Sequence, residues 1–153
     1  MDNKKPLIHD YNLHEIGTIV KSINQPDFRA AQIWQGLYQQ LWTKPEQFSS
    51  LPKEIRNLLH DEYCFFSLET IKTIESFDGS TIKSLFQLRD GKSIETVLMK
   101  YKQRRTLCIS TQVGCSAGCV FCATGQMGFK RNLSVGEIIE QVIYYSNILK
   151  ISN

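Results

Sequence analysis

The chain has 153 residues with a hydrophobic fraction of 42% and a net charge of +3. This length allows one domain, or a small module and part of another. No apolar run approaches the roughly 18 residues that span a bilayer, and the first residues lead into no apolar signal segment, which argues against a membrane protein and a secreted one. We therefore expect a cytoplasmic protein without membrane association, and the mild charge does not by itself indicate a nucleic-acid partner.

The first 65 residues are predicted to form a helical bundle. Asn12 is positioned to cap a helix that runs to about Ser22, and Asp27 to cap a second helix over 28–40. Pro45 indicates a short helical turn, and the run Ser50-Leu-Pro-Lys-Glu begins a further helix. We therefore expect residues 1–65 to be a separate helical domain.

After Tyr63 the pattern becomes typical of β-strands. Two Asp-Gly pairs, Asp78-Gly79 and Asp90-Gly91, indicate tight hairpin turns, since both central residues of such a turn need a positive φ. We expect residues 66–103 to form a β-meander linker. The predicted strands lie near 67–76, 81–88, 93–100 and 105–110.

The last predicted strand leads into a loop from Thr111 to about Leu133 that contains four of the nine glycines. Glycine allows the backbone to approach a ligand closely. Ser134-Val-Gly-Glu137 is a capping box that begins a helix running to about Lys150. The apolar face of this helix, which we expect to pack on a sheet, comprises Ile138, Ile139, Val142, Ile143 and Ile148.

A strand, a ligand loop and a helix form the first half of a βαβ unit. The second parallel strand would begin where the sequence stops, at Asn153. We therefore expect residues 104–153 to be the start of an incomplete, truncated (β/α) barrel. The predicted fold class is α/β in this part and α+β overall.

Three cysteines, Cys115, Cys119 and Cys122, form the spacing C-x3-C-x2-C. Four of the five cysteines lie between Cys108 and Cys122, and such a cluster is more typical of a metal or catalytic site than of a disulfide framework. Three thiolates can hold three corners of an iron–sulfur cluster and leave one iron open, whereas ordinary clusters and structural zinc sites have four protein ligands. The alternative is a closed zinc site with Cys108 as its fourth ligand.

The run Gln112–Leu133, together with Phe28-Arg-Ala-Ala-Gln-Ile-Trp34, resembles the RlmN/Cfr family of radical SAM RNA methyltransferases. The resemblance implies a 4Fe–4S cluster on the three cysteines, with S-adenosyl-L-methionine (SAM) on the fourth iron. It implies methylation of adenine C2 in 23S ribosomal RNA, and also in transfer RNA, through a methyl-cysteine intermediate. Adenine C8 is the alternative target within the family. The implied partners are these RNAs and an electron donor such as flavodoxin or ferredoxin, and we expect a monomer.

The resemblance also implies roles for three further residues. Glu95 matches the proton acceptor of the methyl transfer, although the residues alone favour an exposed edge position for it. Cys108 matches a cysteine that forms a transient disulfide bond with the methyl-carrying cysteine; its alternative role is a small buried core residue. Phe121 matches an aromatic residue against the adenine of SAM, with packing beneath the loop as the alternative. Cys64 is expected in the core.

Cations are concentrated in Lys100-Tyr-Lys-Gln-Arg-Arg105, and Lys130-Arg131 adds two more beside the loop. Such cations can contact RNA phosphates, and tyrosine or arginine can stack on bases. The alternative is a solvated surface without a partner. By resemblance, the helical domain is the family's accessory RNA-binding domain.

The sequence contains no cysteine after Cys122, so the methyl-carrying cysteine of the family has no counterpart here. The family's SAM-binding strand would also lie beyond Asn153. We therefore expect these 153 residues alone to be an inactive fragment of an enzyme. The alternative from another functional class is a zinc-stapled RNA-binding module without turnover.

Overall fold

The structure, a computed structural model, describes residues 5–151, with side chains to residue 150. The chain divides into two compact units: Leu68–Tyr145 form one, and the residues up to Ser67 together with those from Ser146 onward form the other. Helices dominate the first unit and strands the second. The predicted α+β class is confirmed, and the three-part domain division at 65/66 and 103/104 stays a prediction.

Three helices build the first unit: α1 (Leu13–Ser22), α2 (Phe28–Tyr38) and α3 (Lys53–Glu62). The predicted cap of α1 is confirmed, because the Asn12 side chain accepts a bond from the Glu15 N–H at 3.0 Å and the Glu15 carboxylate accepts one from the Asn12 N–H at 2.7 Å. The cap predicted for α2 is wrong, since Asp27 has helical backbone angles and makes no side-chain capping bond. Short 3-10 turns lie at Ile8–Asp10 and Pro45–Gln47.

The core of the first unit consists of apolar side chains from all three helices and the Pro45–Gln47 region. A Cβ at Gly36 would lie within 3 Å of the Trp42 and Phe48 rings, so the absence of a side chain there lets the aromatic rings pack on α2. His9 is also buried, with only 1% exposed and its ring edge-on to Tyr38. The fully buried members include Ile8, Ile16, Val20, Ile33, Leu37, Phe48, Ile55 and Leu59.

The second unit contains an antiparallel sheet in the order β1-β2-β3-β4. The prediction of four consecutive strands is confirmed. The expectation of turns with two positive φ values is wrong, because Gly79 and Gly91 have φ values of 66° and 77° but Asp78 and Asp90 do not have a positive φ. The last strand ends two residues before the predicted 110. All seven residues of the first strand are exposed. The strands are β1 (Glu69–Glu75), β2 (Thr81–Gln87), β3 (Ser93–Lys100) and β4 (Arg105–Cys108).

Three short elements and one long helix follow the sheet. They are β5 (Gln112–Val113), α4 (Ala123–Gln126), β6 (Arg131–Asn132) and the long helix α5 (Val135–Ile151). The predicted capping box of α5 is confirmed, because Ser134 Oγ accepts a bond from the Glu137 N–H, and the Glu137 carboxylate accepts one from the Ser134 N–H. Over the described part of the chain, no helix combines the length and apolarity needed to cross a membrane.

The buried side of α5 is more polar than predicted. Val142 is 39% exposed, whereas Glu140, Gln141 and Tyr145 are almost fully buried. The amide oxygen of Gln141 accepts bonds from Thr96 Oγ1 at 2.6 Å and the Ser110 N–H at 2.9 Å, and its nitrogen donates to the Ser110 carbonyl at 2.9 Å. The apolar face predicted for this helix was therefore wrong in part, because the helix also satisfies polar groups of the sheet.

We predict that Gln141→Leu lowers the free energy of unfolding by roughly 3 kcal/mol, because it leaves the buried Thr96 hydroxyl and the N–H and carbonyl of the half-buried Ser110 without this partner. Chemical denaturation followed by circular dichroism measures this change. The matched control is Gln103→Leu, since Gln103 is exposed. Equal stability of the Gln141→Leu protein and the control would contradict the prediction.

Burial lowers the pKa of His9 from 6.5 to about 4, although the backbone of Phe65 and the charge of Asp10 act in the opposite direction. Between pH 6.5 and 4, His9 is protonated in the unfolded chain but not in the folded one. The contribution of His9 to the free energy of unfolding is therefore fully present above pH 6.5 and is lost as the pH falls toward 4. The loss due to this residue is about 3 kcal/mol at most.

The measurement is the free energy of unfolding as a function of pH for the wild type and His9→Gln. We expect the variant to have a flatter profile between pH 6.5 and 4, because its buried side chain cannot take up a proton. His14→Gln, which changes an exposed histidine, should keep the slope of the wild type. Parallel profiles for the wild type and His9→Gln would refute this assignment.

Candidate functional site

A two-stranded ladder closes the base of the cysteine loop. Strands β5 and β6 pair with Gln112 opposite Asn132 and Val113 opposite Arg131. The Leu133 N–H extends the ladder by donating to the Thr111 carbonyl at 2.9 Å. The loop predicted over 111–133 is therefore joined at its two ends, and this ladder was not anticipated.

Two glycines allow the loop to pack closely on itself. Gly114 has a φ of 71°, and a Cβ there would collide with the carbonyl oxygen of Gly128. A Cβ at Gly125 would lie 2.9 Å from the backbone nitrogen of Cys119. The close approach predicted for the glycines is thus made between parts of the loop, and it fixes the backbone that carries the cysteines.

The three cysteines of the loop are partly buried free thiols. The Cys122 N–H donates to the Cys119 carbonyl at 3.1 Å, and the Ala117 N–H approaches Cys115 Sγ at 3.5 Å. Over residues 5–151, no three His, Cys, Asp or Glu side chains are arranged to hold a metal ion. The three sulfurs are free and lie on one loop with a closely packed backbone, so the chemistry of the donors, three thiols in the spacing C-x3-C-x2-C, matches a three-thiolate cluster although their arrangement here does not.

An ion-pair cluster fixes the carboxyl-terminal end of this loop. The Arg131 guanidinium donates to both oxygens of Glu137, at 2.7 and 2.8 Å, and its Nε donates to Asp90 at 2.8 Å. Hydrogen bonding to Arg131 holds the pKa of Asp90 well below its usual range. Burial acts to raise the pKa of Glu137, but the bonds from Arg131 and Ser134 outweigh it and the pKa is lowered. Both carboxylates therefore remain charged at neutral pH.

This cluster corrects the prediction that Arg131 serves RNA phosphates. Its guanidinium is engaged by two carboxylates from within the same unit, and the hydrogen bonds that it donates to Glu137 and Asp90 raise its pKa. Lys130, in contrast, is exposed. Three features of the sequence could have predicted this ion-pair cluster. They are the acidic residue of an Asp-Gly turn, the glutamate of a capping box, and a cation that lies between the two in the chain.

Glu95 and Cys108 lie on the same face of the sheet. The predicted alternation of β3 is confirmed, with Ile94, Thr96 and Leu98 buried. Cys108 is directly opposite Val97 in the register of β3 and β4, and Val97 shares its face with Glu95. The structure therefore places on one sheet face two residues, Glu95 and Cys108, that the sequence identified only as separate candidates. Cys108 is exposed, so the alternative of a buried core cysteine is wrong.

Lys83 is a neighbour of Glu95 that sequence reasoning missed. Its Nζ lies 3.1 Å from Glu95 Oε1, and the two side chains are 45% and 53% exposed. The available signal was strand alternation on β2, which places Lys83 on the face that carries Glu95. Because the pair is solvated, its effect is on the position of the carboxylate rather than on stability.

A cleft of about 230 Å³ lies between this sheet face and the cysteine loop. Leu85 and Glu95 line it from the sheet, Ser110 and Gln112 from the segment that enters the loop, and Met127 from the loop itself. The Ser110 hydroxyl donates to the Glu95 carbonyl at 2.7 Å, which ties the two sides together. A carboxylate, an apolar wall and the thiol-bearing loop thus surround one small space.

Two further predicted residues have contrasting environments. The Phe121 side chain is 89% exposed, so the alternative in which it packs beneath the loop is wrong. Its role beside SAM stays a prediction. Cys64 is only partly buried, and its thiol approaches the Phe66 carbonyl at 3.5 Å.

The sequence and the fold of this chain are similar to those of known methyltransferases. The chain is 46% identical to a "probable dual-specificity RNA methyltransferase RlmN" of Chloroflexus aurantiacus, over 94% of this chain and 38% of the relative. A protein of the same description from Bacillus cereus is 45% identical over 94% of this chain and 39% of its own length. The fold matches a crystal structure of a radical SAM methyltransferase from Sphaerobacter thermophilus with a TM-score of 0.90.

The structural match has 39% sequence identity and covers 96% of this chain and 43% of the other. This chain is homologous to part of an RlmN-type methyltransferase. The resemblance predicted from the cysteine run is therefore confirmed, although no protein-family model matches the chain. The chain spans about two fifths of the length of the curated RlmN relatives, so the activity of the whole protein is a matter for proposal.

The predicted disulfide bond is not supported by the structure. All five cysteines, including Cys108, are free thiols. In the RlmN/Cfr scheme stated above, the partner of Cys108 is a cysteine for which this sequence has no candidate after Cys122.

We predict that Gly114→Ala destabilises the second unit by more than Gly118→Ala. Both glycines have a positive φ, so both variants carry a similar backbone strain of about 1 kcal/mol. Only at Gly114 does the new methyl group meet another backbone atom, whereas nothing lies within 4 Å at Gly118. Thermal unfolding of the two variants measures the difference, and equal melting temperatures would rule out the proposed packing of Gly114 against Gly128.

Proposed function

We propose that this chain forms the cluster-binding and substrate-facing part of a radical SAM enzyme that methylates adenine C2 in 23S ribosomal RNA and in transfer RNA. The observation that supports this best is the single cleft shared by Glu95, on the face that also carries Cys108, and the cysteine loop. The description of the relatives as dual-specificity RNA methyltransferases supports two classes of RNA substrate.

In this proposal Cys115, Cys119 and Cys122 hold a 4Fe–4S cluster through three thiolates, and SAM occupies the remaining iron. When bound, the cluster supplies the single electron that cleaves SAM, and a small donor protein such as flavodoxin or ferredoxin restores it. Phe121 is exposed beside the last cysteine, where its ring can cover the adenine of SAM. The closely packed backbone at Gly114 and Gly125 fixes the loop that carries the three cysteines.

Glu95 acts as the base in this proposal. Its carboxylate reaches solvent from the face that lines the cleft, so a bound adenine can present its C2 proton to it. Lys83 contacts one carboxylate oxygen and leaves the other to accept the proton. Leu85, directly opposite Glu95 on the neighbouring strand, supplies an apolar surface for the base.

Cys108 is the thiol that releases the product in this proposal. Its thiolate attacks the sulfur of the methyl-carrying cysteine, a sulfur–sulfur bond forms, and the carbon–sulfur bond to the RNA breaks. The electron pair of that bond stays on the carbon, which takes up a proton to become the methyl group. Exposure of Cys108 on the sheet face supports this role, because thiol exchange needs access.

We expect that the protein, purified without oxygen and supplied with iron and sulfide, binds about four iron atoms per chain. Replacement of any one loop cysteine by serine should abolish the brown chromophore, whereas Cys64→Ser, the matched control outside the loop, should retain it. Iron and zinc analysis with electron paramagnetic resonance measures both. SAM should alter the resonance spectrum of the reduced wild type.

Zinc bound one to one, without a chromophore and without an effect of SAM, would contradict the proposal and favour a zinc-stapled binding module. The position of methylation is read separately from the methyl transfer product of the protein that includes this chain. Nuclease digestion and chromatography separate 2-methyladenosine from 8-methyladenosine, so the C8 alternative is distinguished without reference to the cluster.

A further inference from the structure

The turn between β3 and β4 forms a basic tip, defined here as residues 101–105. All five side chains are exposed. The Tyr101 N–H donates to the Arg104 carbonyl at 2.9 Å and closes the turn. Arg105 Nη1 donates to the Tyr101 carbonyl at 2.7 Å, which fixes the backbone from the other strand. The tip is therefore an ordered projection at the end of the sheet.

An aromatic ring and a guanidinium group are stacked on this tip. The Arg104 guanidinium carbon lies 4.7 Å from the centre of the Tyr101 ring. The Tyr101 hydroxyl donates to Met99 Sδ at 3.7 Å, which orients the ring over the face that also carries Glu95. Tyr101 remains 46% exposed in this arrangement. A preformed planar pair of this kind can stack on a nucleobase with little loss of side-chain freedom.

The charges of the basic tip lack carboxylate partners. Lys100, at the end of β3, pairs with Glu75 at 3.4 Å. Within the described part of the chain, Lys102, Arg104 and Arg105 form no ion pair. The adjacent β1–β2 turn contributes Asp78, whose pKa hydrogen bonds from Ser76 and Ser80 lower to about 2, so its carboxylate stays charged. The cations of this end of the sheet still outnumber its carboxylates.

We propose that the basic tip binds the single-stranded RNA that flanks the target base. A flanking base stacks on the Tyr101–Arg104 pair, and Lys102 contacts a phosphate. Glu95 and Tyr101 lie along one strand direction on the same face, on the order of 20 Å apart, so one extended RNA strand can reach both. Single strands are favoured over duplexes because only unpaired bases offer a free face for stacking. This inference rests on the proposed function in taking RNA as the partner.

The test uses fluorescence anisotropy with a labelled single-stranded RNA of about 12 nucleotides at several salt concentrations. Tyr101→Ala should weaken binding roughly tenfold or more without a change in salt dependence, because it removes stacking. Lys102→Ala should weaken binding and reduce the salt slope by about 0.7, because it removes one phosphate contact. Phe77→Ala changes an exposed aromatic residue on the adjacent turn, and Lys92→Ala removes a charge from the β2–β3 turn at the opposite end of the sheet. Both controls should bind like the wild type.

Equal losses in Tyr101→Ala and Phe77→Ala, or in Lys102→Ala and Lys92→Ala, would overturn the assignment to the basic tip while RNA binding itself stands. Tighter binding of a duplex RNA than of the single strand would also overturn it. A wild type that binds no RNA would overturn both this inference and the RNA substrate of the proposed function. The iron-loading experiment would then still test whether the three loop cysteines hold a 4Fe–4S cluster. Circular dichroism checks that each exposed substitution leaves the fold intact.

Discussion

The buried amide of Gln141 is the interaction on which the second unit depends. It joins a side chain in the middle of the sheet, Thr96, to the backbone of Ser110 at the entrance to the cysteine loop. A buried amide is stable only when all its hydrogen-bonding groups find partners, and here the remaining N–H reaches the Glu137 carbonyl within its own helix. The position of the loop relative to the sheet follows from this one satisfied side chain.

The two ends of the cysteine loop are held by residues one helical turn apart on α5. Gln141 binds the segment before the loop, and Glu137 binds Arg131 directly after it. Asp90 extends the second contact to the turn that precedes β3, the strand of Glu95. The first turns of one helix therefore fix where the glycine-rich segment with the three cysteines starts and where it ends.

Much of the fold could be predicted from local chemistry. The Asn12 and Ser134 caps, the two Asp-Gly turns and the alternation of β3 each depend on residues close together in sequence. The buried polar face of α5 could not be predicted, because Gln141 binds partners far away in the chain, Thr96 and Ser110. In the site, spacing identified the three loop cysteines, whereas the shared face of Glu95 and Cys108 depends on strand register that no local pattern specifies.

Strand β1 is an open edge of the sheet that carries charged side chains along its length. Every side chain of this edge strand is exposed, and its outer backbone groups face no neighbouring strand within the described residues. Such an edge is a template onto which another chain can add. Glu69, Lys72 and Glu75 recur along it at intervals of three residues, so an identical strand brought alongside would meet charge at both ends and in the middle. Charge along this edge therefore opposes the addition of an identical strand.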